Sequence, residues 1–170
     1  MSNYKRVFVP GGTYFFTVNL ACKHSYALVK HIDLLRTAVA KVKKNQPFKI
    51  IAWVVMPNHI HAIWQLPTND SNYPARWREI KKQFTKLLQL HLGSKDVSVW
   101  QARYWEHTIK SAEDLEAHLK YCYYNPVKHG FVKHVKDWPY SSFHRDVKRG
   151  LFSTQWGSSY TEPVNTLFGE

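Results

Sequence analysis

Residues 48–66, FKIIAWVVMPNHIHAIWQL, carry the pattern that decides the fold. Two apolar runs rich in β-branched and aromatic residues, 48–56 and 59–66, lie on either side of the dipeptide Pro57-Asn58. Such runs are typical of β-strands, and a short turn-forming link between them favours an antiparallel hairpin. The stretch therefore predicts two neighbouring strands of one sheet.

Four further segments surround this hairpin. Residues 13–20 and 104–109 are rich in aromatic and β-branched residues and predict strands, whereas residues 33–44 and 75–92 carry apolar residues at helical spacing and predict helices. The order strand, helix, strand, strand, helix, strand is that of the ferredoxin-like split βαβ fold. We therefore expect an α+β protein with an antiparallel sheet and two helices on one of its faces.

An additional C-terminal helix is predicted after the last strand. Ser111 has the character of an N-cap, and Pro126 disfavours helical geometry in the residue before it, so the helix should end at about Asn125. We expect this helix to pack near the sheet edge. The chain beyond it shows no long periodic pattern, so residues 1–130 are predicted to form one domain and residues 131–170 an irregular tail packed on that domain.

The chain is strongly basic. Its 24 Lys and Arg residues outnumber its 12 Asp and Glu residues, which gives a formal net charge of +12. A surplus of this size favours a polyanionic partner, because cations that neutralise phosphates release bound counterions. A basic surface that is merely solvated is the alternative interpretation.

The cysteine content and the hydropathy of the chain indicate its cellular compartment. The 2 cysteines provide no disulfide framework. No stretch approaches the roughly 20 apolar residues that span a membrane. We therefore expect a soluble cytoplasmic protein that associates with the nucleoid and not with a membrane.

The second strand of the hairpin carries a candidate metal site. His59 and His61 are two residues apart, and side chains alternate between the faces of a strand, so both imidazoles point the same way. Two imidazoles supply only part of a coordination shell. Two histidines on a solvated strand face, or a structural zinc site, remain open as alternatives for this pair taken alone.

The additional helix carries a candidate nucleophile. One of its faces, at steps of four, three and four residues, holds Asp114, His118, Tyr121 and Asn125. A tyrosine hydroxyl can attack a phosphodiester in line, and the phenolate is also a competent leaving group. The neighbouring apolar face is expected to meet the core, while Tyr123 and Tyr124 are rival nucleophiles on other faces. Each of these polar residues taken singly is more often an ordinary helix residue.

Two longer motifs extend these patches. They are Met56-Pro57-Asn58-His59-Ile60-His61 and Tyr121-Cys122-Tyr123-Tyr124-Asn125-Pro126-Val127-Lys128-His129-Gly130. With supporting segments at residues 11–17, 77–84, 104–107 and 138–142, they resemble the REP-associated tyrosine transposases. That family belongs to the single-tyrosine HUH endonucleases, related to the transposases of the smallest bacterial insertion sequences. The resemblance spans nearly the whole chain.

The resemblance implies a site and a reaction. Its implied ligands for Mg²⁺ or Mn²⁺ are His59, His61 and Asn125, its implied nucleophile is Tyr121, and His118 is an auxiliary active-site candidate. The implied reaction cleaves and rejoins single-stranded DNA beside a REP-like hairpin with an adjacent short recognition sequence, through a 5′-phosphotyrosine intermediate. A monomer is expected, as in this branch of the family, and a dimer stays open.

Hairpin recognition requires contacts to phosphates and bases. The basic candidates for DNA binding are Lys5, Arg6, Arg78, Lys81, Lys82, Arg103 and Arg145, each of which could instead be general surface charge. Exposed bases could also stack on aromatic side chains.

The sequence is also compatible with two other functions. A catalytically silent protein that binds structured DNA would use the same charge and aromatic residues without cleaving. A rolling-circle-type initiator is a weaker alternative, because its usual additional histidine or long extra domains are not evident in the sequence.

Overall fold

A four-stranded antiparallel sheet organises the chain in a computed structural model that describes residues 6–95 and 98–160. The strands are β1 (Thr13–Asn19), β2 (Lys49–Val55), β3 (His59–Gln65) and β4 (Trp105–Thr108), in the sheet order β2-β3-β1-β4. The hairpin predicted at residues 48–66 is β2 and β3, paired antiparallel. The strand order and the antiparallel pairing confirm the ferredoxin-like α+β architecture.

Five helices and one 3₁₀ turn lie within the described ranges. They are α1 (Ala27–Lys30), α2 (Ile32–Asn45), α3 (Tyr73–Leu92), α4 (Ala112–Lys128), the 3₁₀ turn Val135–Asp137, and α5 (Phe143–Lys148). The predicted cap of α4 is present, because Ser111 Oγ accepts a hydrogen bond of 3.1 Å from the Asp114 backbone N–H. None of the helices in the described ranges is long and apolar enough to cross a membrane.

The two faces of the sheet bury different layers, because alternate residues of each strand point to opposite sides. On one face, β1 and β3 pack against α2 and α3, and Trp64 stacks on Trp77 with ring centroids 4.3 Å apart. On the other face, Phe15 and Ile63 pack against α4 and the tail. Fully burying a side chain of this size stabilises the fold by about 1.5–3 kcal/mol.

Helix α4 packs on the second sheet face. It lies against β3 and the edge strand β2, and so near one edge of the sheet. Its polar side faces inward, with His118 6%, Tyr121 1% and Asn125 0% exposed. The neighbouring apolar side also meets the core as expected, because Cys122 is 0% exposed and Leu115 and Leu119 pack on the same cluster. The polar side is buried as well because this part of the sheet is itself polar: buried Thr17 and His61 lie opposite the helix.

The end of α4 differs from the prediction. The helix does not stop at Asn125 but contains Pro126 and continues to Lys128. The stop is set by Gly130, whose φ of 72° is a left-handed conformation that glycine adopts without strain. The Gly130 N–H donates to the Val127 carbonyl and the Phe131 N–H donates to the Pro126 carbonyl, which is the Schellman pattern of a helix C-terminus.

The described part of the tail covers the outer edge of β2. Ser141 forms a bridge with Val54, the Val55 N–H donates to the Tyr140 carbonyl at 2.9 Å, and the Ser142 N–H donates to the Trp53 carbonyl at 2.8 Å. Pairing this edge protects backbone groups that would otherwise be open to another strand. Residues 161–170 of the predicted tail lie outside the described residues.

Candidate active site

The histidine pair lies at the start of β3, directly after the hairpin turn. His59 and His61 point to the same face, and their ring centroids are 4.8 Å apart. His61 is 0% and His59 9% exposed, so the pair is not the solvated strand face that was the alternative. The strand period thus brings the two imidazoles together, as predicted.

Each imidazole is oriented by a hydrogen bond at its Nδ1 atom. His59 Nδ1 lies 2.6 Å from Asn58 Oδ1, and His61 Nδ1 lies 3.0 Å from Thr17 Oγ1. The Asn58 Nδ2 group donates to the Lys23 carbonyl, which fixes the amide so that its oxygen faces His59. Because an amide oxygen can only accept, His59 Nδ1 carries the proton and Nε2 is the nitrogen that can coordinate a metal.

His61 supplies an observation that suits a metal ligand. Its Nε2 atom is buried and makes no hydrogen bond of ordinary geometry within the described residues, although the Asn125 side chain lies close to the ring. Burial, reinforced by the charge of His59, lowers the pKa of His61 well below its usual value, and the nearby Asn125 side chain opposes the shift only in part. A buried polar atom without a partner is costly, and a neutral imidazole is the form that binds metal. The residues present therefore fit a divalent cation.

Helix α4 brings the predicted nucleophile to this pair. The Tyr121 ring packs edge-on against the His61 ring, with centroids 5.1 Å apart and planes at 74°. Asn125, one turn later, is fully buried and close enough to influence His61. Lys128, two turns after Tyr121, places its Nζ atom 5.1 Å from the centre of the Tyr121 ring. Residues that the sequence places 60 positions apart, His61 and Tyr121, thus meet in the structure.

The two rival tyrosines point elsewhere. The Tyr123 hydroxyl donates to Asp146 Oδ2 at 2.5 Å and lies 3.1 Å from Ser142 Oγ. Burial, together with the Asp146 carboxylate, raises the pKa of Tyr123 and makes its phenolate harder to form. Tyr124 packs on Tyr160 with ring centroids 4.9 Å apart. Neither tyrosine faces the histidine pair.

His118 is connected to the site through Phe15. The Phe15 ring centroid lies 4.8 Å from that of His118, 5.8 Å from that of His61 and 5.9 Å from that of Tyr121. His118 itself binds Asp114 and stacks on His107. It is therefore a neighbour of the site, one aromatic ring removed from the histidine pair.

A cavity of about 340 Å³ opens beside His59. Its walls are formed by Thr17, Asn19, Leu20, Lys23, Asn58, His59, Gln101 and His129. The His129 ring lies 5.5 Å from that of His59. Sequence reasoning missed the contributions of Thr17, Lys128 and His129. Lys128 lies seven residues after Tyr121, so a helix extended past Pro126 would have placed it on the nucleophile face.

A basic groove of about 530 Å³ lies next to this cavity. It is lined by Lys81, Lys82, Thr85, Lys86, Gln89, Trp100, Gln101 and Ala102, and Gln101 also lines the cavity beside His59. The Lys81 ammonium donates to the Gln101 carbonyl at 2.9 Å and lies 5.2 Å from the Tyr104 ring centre. Burial, and to a lesser extent Arg6, lowers the pKa of Lys81 to about 8.

The other predicted DNA-binding residues are placed differently. Arg6 lies over the Tyr104 ring at 4.7 Å, and its Nε is 3.6 Å from a Glu106 oxygen. Arg78 and Arg103 are exposed. Lys5 lies outside the described residues.

Arg145 lies at the edge of β2, where its guanidinium donates to the carbonyls of Ile50 and Ile51 and pairs with Asp146. In this conformation the N–H groups of the Arg145 guanidinium therefore bind the protein itself and stabilise the packing of the tail on β2. A role of Arg145 in DNA binding stays a prediction.

The chain matches a family model described as "Transposase IS200 like" over residues 16–125, a span that includes the histidine pair, Tyr121 and Asn125. An Escherichia coli K12 protein named REP-associated tyrosine transposase is 50% identical over 162 residues, which cover 95% of this chain and 94% of the relative. A Haemophilus influenzae protein provisionally given the same name is 44% identical over 167 residues, which cover 94% of this chain and 95% of the relative.

A solved structure is similar over the whole length. It is described as a REP-associated tyrosine transposase bound to a REP hairpin, and it superposes with a TM-score of 0.89 at 49% identity. The match covers 100% of this chain and 98% of that one. That solved protein therefore shares the overall fold and nearly the whole length of this chain.

Proposed function

Because the chain belongs to the IS200-like transposase family, and within it to the REP-associated tyrosine transposases, we propose that it cleaves and rejoins single-stranded DNA beside REP-like hairpins by metal-dependent attack of Tyr121. The observation that carries the proposal is the contact between the Tyr121 ring and His61, 5.1 Å between centroids. It unites a nucleophile with two oriented imidazoles in one place. The hairpin as substrate follows the relative whose solved structure holds one.

The metal would be held by His59 Nε2, His61 Nε2 and the side-chain oxygen of Asn125. Hydrogen bonds to Asn58 and Thr17 at the Nδ1 atoms turn both Nε2 atoms toward this role. A bound Mg²⁺ or Mn²⁺ ion polarises a phosphate and compensates the charge that develops on its oxygens.

The proposed reaction is a transesterification, in which one phosphoester bond forms as another breaks. The Tyr121 phenol loses its proton, and its oxygen forms a bond to the phosphorus while the bond from phosphorus to the 3′ oxygen breaks. The products are a 5′-phosphotyrosine and a 3′ hydroxyl, which takes up a proton. Attack of a 3′ hydroxyl on the phosphotyrosine reverses the step and joins strands. The Lys128 ammonium, 5.1 Å from the ring centre, stabilises the phenolate.

The single strand reaches Tyr121 along the basic groove and the cavity beside His59. The two share Gln101, so one extended strand can follow both. Lys81, Lys82 and Lys86 offer charges to the phosphates, and Trp100 offers a surface on which a base can stack. Contacts of this kind fix the position of a strand, while base contacts select its sequence.

The test is the covalent adduct. The full chain is incubated with a single strand that folds into a REP-like hairpin, with Mn²⁺, and the products are separated under denaturing conditions. We expect an adduct with the wild type and with Tyr124→Phe, and none with Tyr121→Phe. Equal adduct from wild type and Tyr121→Phe overturns the assignment of the nucleophile.

A second candidate function is binding of structured DNA without cleavage. The observation that favours it is the burial of Tyr121, only 1% exposed, which leaves the phenol little room for a phosphate in this conformation. Salt-sensitive binding of the hairpin, with no adduct in Mg²⁺, Mn²⁺ or Co²⁺, supports this alternative. An adduct in any of these metals excludes it.

A further inference from the structure

A cluster of three potential ligands lies beyond Phe15, away from the His59/His61 pair. His107 comes from β4, and Asp114 and His118 come from the first two turns of α4. One ligand atom of each residue lies within 4.8 Å of the other two. No residue of this trio belongs to the proposed catalytic metal site.

The carboxylate of Asp114 connects the two imidazoles. His107 Nε2 lies 2.9 Å from Asp114 Oδ2, and His118 Nδ1 lies 3.0 Å from Asp114 Oδ1. The imidazole planes are nearly parallel, at 11°, with centroids 4.6 Å apart, so both rings present a nitrogen toward the same carboxylate. Two ligands on a tetrahedral ion with bonds of about 2.1 Å are about 3.4 Å apart, so two of the three separations are already close to those of a metal site.

The surroundings hold the cluster in place. The Lys110 backbone N–H donates to Asp114 Oδ2 at 2.9 Å, and Ser111 caps the same turn of α4. Burial by itself raises the pKa of Asp114, but the hydrogen bonds from His107 and Lys110 outweigh it and hold the pKa below its usual value. Asp114 is therefore a carboxylate at neutral pH, as a ligand must be.

The cluster is accessible to solvent on one side. The side chains of His107 and Asp114 are 32% and 22% exposed, while that of His118 is 8% exposed. An ion among them can keep water in its remaining positions. Two imidazole nitrogens and one carboxylate oxygen form a donor set that suits Zn²⁺ and its neighbours Co²⁺ and Ni²⁺.

We propose that His107, Asp114 and His118 form a second cation site, for Zn²⁺ or a similar transition-metal ion, which ties β4 to the start of α4. In this conformation His118 Nδ1 donates to the Asp114 carbonyl at 2.8 Å and His107 Nε2 donates to Asp114 Oδ2 at 2.9 Å. On binding, the ion replaces these two hydrogen bonds, and the one proton of each neutral imidazole moves to the nitrogen that does not coordinate, His118 Nε2 and His107 Nδ1. The ion fixes His118, and through Phe15 it buttresses the turn of α4 that carries Tyr121.

The proposal is tested by counting metal ions. Untagged full chain, stripped with a chelator, is titrated with Co²⁺ while the visible absorption of the ion is followed, and Zn²⁺ competition is measured by calorimetry. We expect two classes of sites in the wild type. His107→Gln and Asp114→Asn each abolish one class or weaken it by more than the roughly 10–100-fold that a lost outer-shell contact costs. The double variant His59→Gln, His61→Gln abolishes the other class.

A matched control is His31→Gln, because His31 and His91 form another close histidine pair, with ring centroids 5.1 Å apart. This variant should retain both classes. The His59→Gln, His61→Gln protein should still bind one Co²⁺, and circular dichroism of each variant verifies its fold. The proposal is overturned if that double variant binds no Co²⁺, or if wild type, His107→Gln and Asp114→Asn bind the same number of ions with equal affinity.

Discussion

The Tyr121 ring meets the His61 imidazole edge-on, with 5.1 Å between centroids and 74° between planes. His61 lies on a strand and Tyr121 on a helix that crosses the sheet face above it. The helix therefore delivers the phenol to the same imidazole whose Nε2 atom suits a metal. This relationship connects nucleophile and metal in the proposed reaction, and it is sensitive to anything that rotates either ring.

The Nδ1 contacts of the two histidines predict an effect on metal affinity. Thr17→Val removes the oxygen that faces His61 Nδ1 and keeps the side-chain shape. We expect the Mn²⁺ dissociation constant to rise about 10–100-fold, as is typical when an outer-shell partner is lost. Calorimetry or electron paramagnetic resonance of Mn²⁺ measures it.

Thr17→Ser is the matched control, because it keeps the hydroxyl and should keep affinity within a few-fold. Asn58→Ala should weaken Mn²⁺ in the same way through His59. Equal Mn²⁺ affinity in Thr17→Val and wild type means that Thr17 does not orient the ligand.

Lys128 is predicted to assist the nucleophile. Its ammonium lies 5.1 Å from the centre of the Tyr121 ring. Lys128→Met should slow cleavage about 2–30-fold, which corresponds to the roughly 0.5–2 kcal/mol of a cation over an aromatic ring. The rate of adduct formation at saturating DNA is the measurement.

Lys128→Arg should restore most of the rate, since the positive charge is retained. Lys120→Met, which removes a lysine paired with Glu116 on another part of α4, is the control and should react like wild type. A Lys128→Met enzyme with the wild-type rate at every pH would falsify this role.

The lowered pKa of Lys81 predicts that DNA binding depends on pH. Its ammonium is faced by Arg6, the Trp100 and Tyr104 rings and the Gln101 carbonyl, and its pKa is lowered to about 8, chiefly by burial. Lys81 thus loses its charge as pH rises through 8, whereas an ordinary lysine keeps it to about pH 10. The affinity for a single-stranded hairpin should fall between about pH 7 and pH 9, and the slope of log K against log salt should shrink by about 0.7.

Stability should change in the opposite direction. The folded pKa lies below the unfolded one, so the unfolded chain binds more protons between pH 8 and about pH 10 and the free energy of unfolding rises with pH in that window. Lys81→Arg keeps its charge and should bind DNA with little dependence on pH. If wild type and Lys81→Arg weaken equally between pH 7 and pH 9, Lys81 is not the titrating contact.

The left-handed conformation of Gly130 predicts that a substitution there lowers the stability of the protein. A side chain at this position meets open space, so the cost of Gly130→Ala comes only from the φ of 72°. We expect a loss of about 1–2 kcal/mol in the free energy of unfolding, measured by urea denaturation. Gly93→Ala, at a similar φ of 65° and also in open space, should cost a similar amount. A neutral Gly130→Ala would mean that α4 ends in another way.

Local sequence patterns were sufficient to predict the strands of the sheet and the shared face of the two histidines. The period of two on β3 requires His59 and His61 to share a face wherever that strand packs. Helical spacing also predicted that Tyr121 and Asn125 share one face of α4 beside its apolar side. The deep burial of that polar face could not be predicted from the helix alone, because it depends on the buried Thr17 and His61 of the sheet.

Two other features have equally specific causes. Pro126 predicted a helix end at Asn125, but α4 continues to Lys128 and ends in the Schellman pattern at Gly130. Because the predicted helix was too short, Lys128 was not placed on the face of Tyr121. Arg145 binds carbonyls of β2, an interaction between residues about 95 positions apart in the chain, and its predicted role in DNA binding stays a prediction. Contacts at that separation follow from the fold and leave no local signal.

The most direct measurement of the central claim is the position of the covalent bond. The adduct with a REP-like hairpin is digested with protease and nuclease, and mass spectrometry locates the residual nucleotide phosphate. We predict the phosphate on Tyr121, attached through the 5′ side of the nucleotide. A phosphate on Tyr123, Tyr124 or any other residue, or one attached through the 3′ side, contradicts it.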